Sequence, residues 1–138
     1  MELKELVSVA GKSGLFRILK PSRASVIVET LDDERKKLVV SANNRISVLD
    51  EISIYTNTAE GSTPLSDVLH TIYKEFGEEQ AFDAEATNAE YLSFFQSILP
   101  NYDRDRVYAS DIKKIVRWYY ILLKEAPHLV RPGSEEEE

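Results

Sequence analysis

Residues 101–124, NYDRDRVYASDIKKIVRWYYILLK, hold the only tryptophan of the 138-residue chain and four of its seven tyrosines. On a helical wheel that advances about 100° per residue, one face of this segment is apolar. That face consists of Ile112, Ile115, Val116, Tyr119, Leu122 and Leu123. Ser110 is a favoured N-cap residue, and Asp111 complements the dipole of the first helical turn. We predict a helix that starts at Ser110 and buries its apolar face in the helical half of the protein.

The opposite side of this helix is basic and carries aromatic residues at its borders. The candidate binding surface on it consists of Lys113, Arg117, Trp118, Tyr120, Ile121 and Lys124. Basic residues interleaved with aromatic rings suit nucleic acid or an acidic protein segment. The alternative is a solvated helix face whose flanking rings pack on a neighbouring layer. If this surface binds a protein, we expect Trp118 and Ile121 to be exposed.

Two more helices are predicted upstream of this segment. In residues 64–76 the apolar side chains recur at the spacing of one helix face. Thr63 can cap that helix, Pro64 suits its first position, and Gly77 stands where a left-handed C-cap belongs. The sequence TNAE at 87–90 has the form of a capping box and predicts the start of a further helix.

The three helices are predicted to form a unit over residues 63–126. A polar, acidic stretch at 78–86 reads as a surface loop that Phe82 holds in place. Residues 127–138 combine prolines, a glycine and four final glutamates, so we predict a disordered acidic tail that does not pack.

The first half of the chain is rich in β-branched residues separated by turn formers. Five short strands are predicted, at 6–9, 15–19, 25–31, 37–41 and 52–56. A serine followed by acids at 47–51 predicts a single helical turn before the last strand. This order predicts an α+β protein in which a five-stranded SH3-like small β-barrel, over residues 1–62, precedes the helical unit.

The sequence Gly11-Lys12-Ser13 reproduces the end of the phosphate-binding loop of nucleotide-binding proteins. The match fails because Leu6 occupies the position of the first glycine, and because the following residues alternate like a strand where the motif needs a helix N-terminus. An ordinary glycine-bounded turn is the better interpretation.

Four basic residues cluster around the first two predicted strands: Lys12, Arg17, Lys20 and Arg23. Along one edge of the barrel they would suit a phosphate backbone or an acidic peptide. The alternative is a solvated edge whose charges block aggregation between sheet edges.

The amino-acid composition argues against several classes of function. The net charge of −7 comes in large part from the four final glutamates, so the rest of the chain has no strong single-sign field of the kind typical of nucleic-acid binding. The chain has no cysteine and two histidines, which favours neither a metal site nor a disulfide. No apolar stretch is long enough for a membrane span, and the charged N-terminus is unlike a signal peptide. We therefore expect a cytoplasmic protein without membrane, metal or cofactor.

The chain resembles a bacterial family known only as a domain of unknown function. The likeness runs from residue 3 to about residue 124. It rests on GKSGLF at 11–16, VIVETL at 26–31, ISVLDEISIYT at 46–56 and NYDRDRVYASDIKKIVRWY at 101–119. The chain departs from the family pattern at Ser13, where proline is usual. The resemblance implies no catalytic or binding residue.

The surviving hypothesis is a non-enzymatic binding or adaptor module. No nucleophile paired with a base, metal cluster or complete glycine loop is found in the sequence. Protein recognition, including self-association, is the leading interpretation, through the predicted barrel edge or the third-helix surface. Nucleic-acid binding is the alternative and would use Lys12, Arg17, Lys20 and Arg23 together with the third-helix cations.

Overall fold

A computed structural model describes residues 2–12, 14–41, 43–77 and 87–131. Within these ranges the chain forms seven strands and three helices. They are β1 Leu6–Val9, β2 Phe16–Pro21, β3 Ser25–Thr30, β4 Lys37–Ser41, β5 Ile46–Val48, β6 Ser53–Tyr55, β7 Ser62–Pro64, α1 Leu65–Phe76, α2 Asn88–Ile98 and α3 Ala109–Glu125. The predicted loop at 78–86, with Phe82, and residues 132–138 of the predicted tail lie outside the described residues.

Five strands form one antiparallel sheet in the order β4-β3-β2-β1-β5, and β6 and β7 form a separate hairpin. Together with the three helices, this sheet confirms the α+β class. The five-stranded sheet is not closed, because β4 and β5 lie at its two ends and do not pair with each other over the described part of the chain. The predicted SH3-like barrel is therefore not confirmed.

The predicted fifth strand is displaced from the sheet. The strand found there, β6, pairs with β7 across a turn in which Gly61 adopts a φ of 80°. The backbone N–H of Thr56 donates to the Gly61 carbonyl at 3.0 Å and closes this turn. The fifth place in the sheet belongs to β5, whose three residues are too few to show a strand pattern in the sequence. The predicted helical turn is found as a 3-10 turn at Leu49–Glu51, between β5 and β6.

Two hydrophobic cores result from this arrangement. The smaller core consists of Val7, Val9, Phe16, Val28 and Val40, all on one face of the sheet. Successive strand residues point to opposite faces, so Leu6 leaves that face and joins the main core with the three helices. The helices are therefore attached to the sheet chiefly on the side that Leu6 faces.

The predicted apolar face of α3 is confirmed. Its buried residues are Ile112, Ile115, Val116, Tyr119 and Leu122, and Leu123 is half-buried. The helix begins at Ala109 after Tyr108, earlier than the predicted cap at Ser110. The earlier start has a physical reason, because the Asp111 carboxylate accepts a hydrogen bond from the backbone N–H of Tyr108 at 3.0 Å.

The ends of α1 and α2 follow their predicted residues closely. Gly77 ends α1 with a φ of 61°, a left-handed conformation that favours glycine. Thr87 and Glu90 form the predicted capping box at the start of α2. Only the start of α1 differs: Thr63 and Pro64 belong to β7, and the helix begins at Leu65.

Packing continues beyond residue 126, where we predicted the acidic tail to begin. Pro127–Leu129 form a 3-10 turn, and Leu129 and Val130 are buried in the main core. Apolar side chains at these positions gain more from burial than the adjacent proline costs in helix continuity. The division of the chain at residue 62 into two units stays a prediction.

Candidate binding groove

A groove with four basic side chains lies between the turn that joins β1 to β2, the start of β5, and α3. We call it the basic groove. Its cavity has a volume of about 280 Å³ and is lined by Lys12, Arg45, Lys114 and Arg117, with Trp118 and the hydroxyl groups of Ser8 and Ser47. No aspartate or glutamate is among the described residues that line it. The groove therefore concentrates positive charge in a protein whose net charge is −7.

Lys12 reaches the groove because of the glycines beside it. Gly11 has a φ of 85° and Gly14 a φ of 84°, and only glycine adopts this conformation at no steric cost. The backbone N–H of Lys12 donates to the Val9 carbonyl at 3.0 Å, which tightens the turn. This turn leads into a strand, β2, and not into a helix, so the helix N-terminus of a nucleotide-binding loop is not formed here.

Arg45 enters the groove through strand pairing. Val9 lies opposite Ile46 in the antiparallel pair of β1 and β5. The backbone N–H of Ala10 donates to the Arg45 carbonyl at 2.9 Å and extends this pairing by one step. Arg45 is thereby held beside the turn that carries Lys12.

The third wall of the groove is one side of α3. Arg117 and Trp118 follow Lys114 by three and four residues, so each of them is a neighbour of Lys114 on the helix surface. Trp118 is half-buried and packs against the main core, whereas Lys114 and Arg117 are exposed. The tryptophan therefore forms the buried side of the groove, and the two basic side chains lie at its solvent-exposed edge.

Ion pairing distinguishes the four groove cations from some, but not most, of the other basic residues. Among the described residues, ion pairs are formed by Lys4, Arg17, Arg35, Lys36, Arg106 and Lys124. Within the described ranges, no ion pair is formed by Lys12, Arg45, Lys114 or Arg117. Their positive charges are consequently left for solvent or for a ligand.

A second cavity of about 410 Å³ adjoins the basic groove and shares Ser8, Ser47, Lys114 and Trp118 with it. We call it the apolar compartment. Its further walls include Ile52, Ile54, Tyr55, Val107 and Ile115. Tyr55 is 50% exposed, and the Arg106 guanidinium lies 5.1 Å from the centre of its ring. The two cavities together form a surface with a cationic end and an apolar end.

The predicted third-helix surface is divided among several neighbours. Lys113 lies 5.6 Å from the centre of the Tyr91 ring, and Lys124 forms an ion pair with Asp33 at 3.0 Å. The hydrogen bond and the charge of Asp33 raise the pKa of Lys124 above its ordinary value. Of the three cations predicted together, only Arg117 lines the basic groove.

The apolar members of the predicted surface are less accessible than we expected. Trp118, Tyr120 and Ile121 are half-buried and pack against the main core. The ring of Tyr120 meets that of Tyr119 edge to face at 5.6 Å. The expected exposure of Trp118 and Ile121 is therefore wrong in degree, because both contribute to the attachment of α3 as well as to its surface.

The basic cluster predicted along the sheet edge is also divided. Lys12 lies in the basic groove, whereas Arg17 pairs with Glu5 at 3.7 Å. Lys20 and Arg23 lie at the far end of β2, which spans about 20 Å over its six residues. The four residues therefore do not form one continuous track.

Arg45, Ser8 and Ser47 line the basic groove although the sequence did not single them out. Arg45 follows the turn formers Asn43 and Asn44, which was the available sign that a strand begins just after it. What the sequence did not show was that this strand pairs with β1, which is distant in the chain. Ser8 and Ser47 lie opposite each other in that pairing.

The described residues show neither a membrane-spanning helix nor a metal cluster. None of the helices in the described ranges combines the length and the apolar composition that a membrane crossing needs. Among the same residues, no group of three or more histidine, aspartate or glutamate side chains is placed to hold a metal ion.

Comparison with protein families divides the chain in two. The family described as Domain of unknown function (DUF6852) matches residues 52–122, and Domain of unknown function (DUF5606) matches residues 3–49. The chain belongs to the DUF6852 family. The basic groove draws Lys12 and Arg45 from the segment that matches DUF5606, and Lys114 and Arg117 from the DUF6852 segment.

A solved structure is similar over most of the DUF6852 protein described here. It is the solution NMR structure of a protein from Bacteroides vulgatus, a target of the Northeast Structural Genomics Consortium. The two sequences are 36% identical, and the TM-score is 0.74. The match covers 91% of this chain and 88% of that one. A comparison with curated proteins gave no match.

Proposed function

We propose that this DUF6852 protein is a non-enzymatic binding module that holds an acidic segment of a partner protein in the basic groove. The observation that carries the proposal is the convergence of Lys12, Arg45, Lys114 and Arg117 on one cavity without an acidic residue in its described lining. Like charges brought together in this way repel each other, and an anionic ligand relieves that repulsion.

The shape of the surface favours a polypeptide. The basic groove continues into the apolar compartment, where Ile52 and Tyr55 offer contacts to side chains that flank an acid. Duplex DNA-binding proteins commonly neutralise about six to ten phosphates along a track. Here Lys20 and Arg23 lie apart from the groove, so the described cations do not extend into such a track.

The groove lacks the arrangement of a hydrolytic site. Ser8 and Ser47 are its hydroxyl groups, and neither forms a side-chain hydrogen bond to a histidine or carboxylate within the described residues. A serine without an adjacent base is a weak nucleophile at neutral pH. This supports binding without chemistry.

The sole tryptophan gives a direct experiment. Trp118 lines the basic groove, so its fluorescence reports on occupancy. We expect a hexaglutamate peptide to change this fluorescence in a saturable way, and a hexaglutamine peptide to leave it unchanged. Because the attraction is electrostatic, raising the salt from about 50 to 500 mM should weaken binding strongly.

Charge-reversal variants test whether the peptide binds in the basic groove. The double substitution Lys114→Glu with Arg117→Glu should weaken hexaglutamate binding by about tenfold or more. The matched control is Lys20→Glu with Arg23→Glu, which changes the net charge equally at exposed positions outside the groove. Equal losses in both variants would show a general charge effect and overturn the proposal.

A parallel experiment tests the alternative function, which is nucleic-acid binding. A mixed-sequence single-stranded oligonucleotide is titrated at low salt under the same conditions. If it binds while hexaglutamate does not, and if the groove variant abolishes that binding, the protein-recognition proposal is wrong and the groove serves nucleic acid.

A further inference from the structure

We infer that the basic groove is a phosphate subsite and that the bound segment carries a phosphorylated serine or threonine next to an apolar residue. This inference rests on the proposed function and specifies its ligand. The supporting observations are the number of cations, the kinds of donor groups and the neighbouring apolar compartment.

The number of unpaired cations exceeds what one carboxylate needs. Four basic side chains surround a cavity of about 280 Å³. A glutamate side chain brings one negative charge, whereas a phosphate monoester brings about −1.5 to −2 near pH 7 and three acceptor oxygens. A single phosphorylated residue therefore balances more of this charge in the same volume.

The donors also match a tetrahedral anion. Arg45, immediately before β5, and Arg117, in α3, stand on different walls, and a guanidinium group presents paired N–H donors that fit phosphate oxygens. Ser8 and Ser47 add hydroxyl groups on the sheet side. Neither hydroxyl forms a side-chain hydrogen bond within the described residues, so both are available to donate.

The apolar compartment provides contacts for the residue next to the phosphorylated one. It meets the basic groove at Trp118 and Lys114, and its walls include the half-exposed Tyr55, the partly buried Ile52 and the buried Ile54. A free phosphate ion or a nucleotide phosphate would leave these walls unused. A leucine or similar side chain beside the phosphorylated residue would cover them.

The experiment compares three peptides that differ at one position. Their sequences are Ala-Leu-X-Leu-Ala with X as phosphoserine, glutamate or serine, and binding is followed by Trp118 fluorescence at pH 7.5. We expect the phosphoserine peptide to bind about tenfold more tightly than the glutamate peptide, and the serine peptide not to bind.

The pH dependence of binding distinguishes the phosphoserine peptide from the glutamate peptide. The second pKa of a phosphate monoester is about 6, so its charge falls between pH 7.5 and 5.5, whereas a glutamate keeps its charge in that range. The charged groups that face the basic groove are Lys12, Arg45, Lys114 and Arg117, and the apolar compartment adds Arg106 and Asp111. No histidine is among the described residues that line either cavity. We expect the phosphoserine preference to shrink severalfold at pH 5.5.

Two further measurements make each outcome decisive. Arg117→Lys keeps the charge but removes the paired donors, so it should weaken phosphoserine binding more than glutamate binding. Inorganic phosphate should compete only at concentrations far above those of the phosphopeptide. If phosphate binds as tightly as the peptide, the peptide part of the inference is wrong.

Different results would contradict the phosphate subsite and the binding of acidic segments. Equal affinity for the phosphoserine and glutamate peptides at both pH values would overturn the phosphate subsite and leave acidic-segment binding in place. No binding of the phosphoserine, glutamate or hexaglutamate peptides would overturn both. Binding that survives in the Lys114→Glu, Arg117→Glu variant would overturn the assignment of either ligand to this groove.

Discussion

Arg35 and Glu125 connect two parts of the molecule that are far apart in the chain. Nη2 of Arg35, in the loop between β3 and β4, donates to Oε1 of Glu125, the last residue of α3, at 2.8 Å. The Glu125 side chain is only 10% exposed. Arg35 is also a non-glycine residue with a positive φ, 50°, which carries a conformational cost of about 1 kcal/mol. The ion pair therefore forms in a strained turn that brings the sheet to the end of the helix.

The first prediction concerns this pair. Glu125→Ala should lower the free energy of unfolding by about 1–2 kcal/mol, because it removes a charge-assisted hydrogen bond in a partly buried site. In a double-mutant cycle with Arg35→Gln, the coupling energy should be about 1 kcal/mol. The measurement is urea unfolding followed by circular dichroism.

A matched control lies in the same loop. Lys36 and Glu34 form an ion pair at 2.9 Å, but both side chains are more than half exposed. Exposed pairs are screened by solvent, so the same cycle on Lys36 and Glu34 should give no measurable coupling. A coupling for the exposed pair as large as that for Arg35 and Glu125 would contradict the argument from burial.

The second prediction concerns the hydroxyl of Tyr119. Tyr119 lies on the buried face of α3, and its hydroxyl donates to the carbonyl of Gly77 at the end of α1. Tyr119→Phe leaves that carbonyl without this donor and should cost about 1 kcal/mol of unfolding free energy. Tyr55→Phe is the control, because Tyr55 is half exposed, and it should be nearly neutral. A neutral Tyr119→Phe would show that the contact between the helices is not energetically important.

The third prediction concerns the capping box of α2. Oγ1 of Thr87 accepts from the backbone N–H of Glu90 at 3.2 Å, and the Glu90 carboxylate accepts from the backbone N–H of Thr87 at 3.2 Å. Thr87→Ala should destabilise the protein by about 1 kcal/mol, whereas Thr87→Ser should retain most of the stability. Thermal unfolding of the two variants tests this, and equal losses would indicate that the methyl group matters more than the cap.

The fourth prediction concerns acid stability. Asp32 accepts hydrogen bonds from Thr30 Oγ1 at 2.8 Å and from the backbone N–H groups of Arg35 and Glu34 at 3.0 Å. These bonds, that of Thr30 foremost, lower the pKa of Asp32 below its ordinary value. Its stabilising contribution is therefore complete above the ordinary pKa of about 4 and is lost as the pH falls through the lower value in the folded protein.

Asp32→Asn tests that sign. The variant should be less stable than the original protein at pH 7, and the difference should become smaller below about pH 4, where Asp32 itself takes up a proton. Urea midpoints measured from pH 7 to pH 3 give the comparison. A difference that stays constant with pH would show that the carboxylate charge does not contribute.

Local features of the fold were predictable because their causes are close together in the sequence. The apolar face of α3 follows from the helical repeat, and the TNAE capping box follows from two side chains three residues apart. The sheet was predicted less completely. A strand was predicted at 52–56 and none at β5, because which segment joins the sheet depends on its pairing with β1 or β7 and not on its local pattern.

The candidate site was predicted only in part. Lys12 and Arg117 were singled out, but in two separate groups, and Arg45 was not recognised. Lys113 and Lys124 had the same local signal as Arg117, yet Tyr91 and Asp33 engage them through space. No local sequence pattern indicates which of these basic side chains will contact an acidic or aromatic side chain in the folded protein.

The sequence by itself determined the helix faces, the capping box of α2, the glycine that ends α1 and the class of the fold, because each depends on residues within a few positions of one another. The tertiary structure decided that the sheet remains open and that Leu129 and Val130 join the main core. It also decided that four cations without an ion pair to any described residue meet beside Trp118. Burial, ion pairing and strand register depend on distances through space, and those distances exist only once the strands have paired and α3 has packed against them.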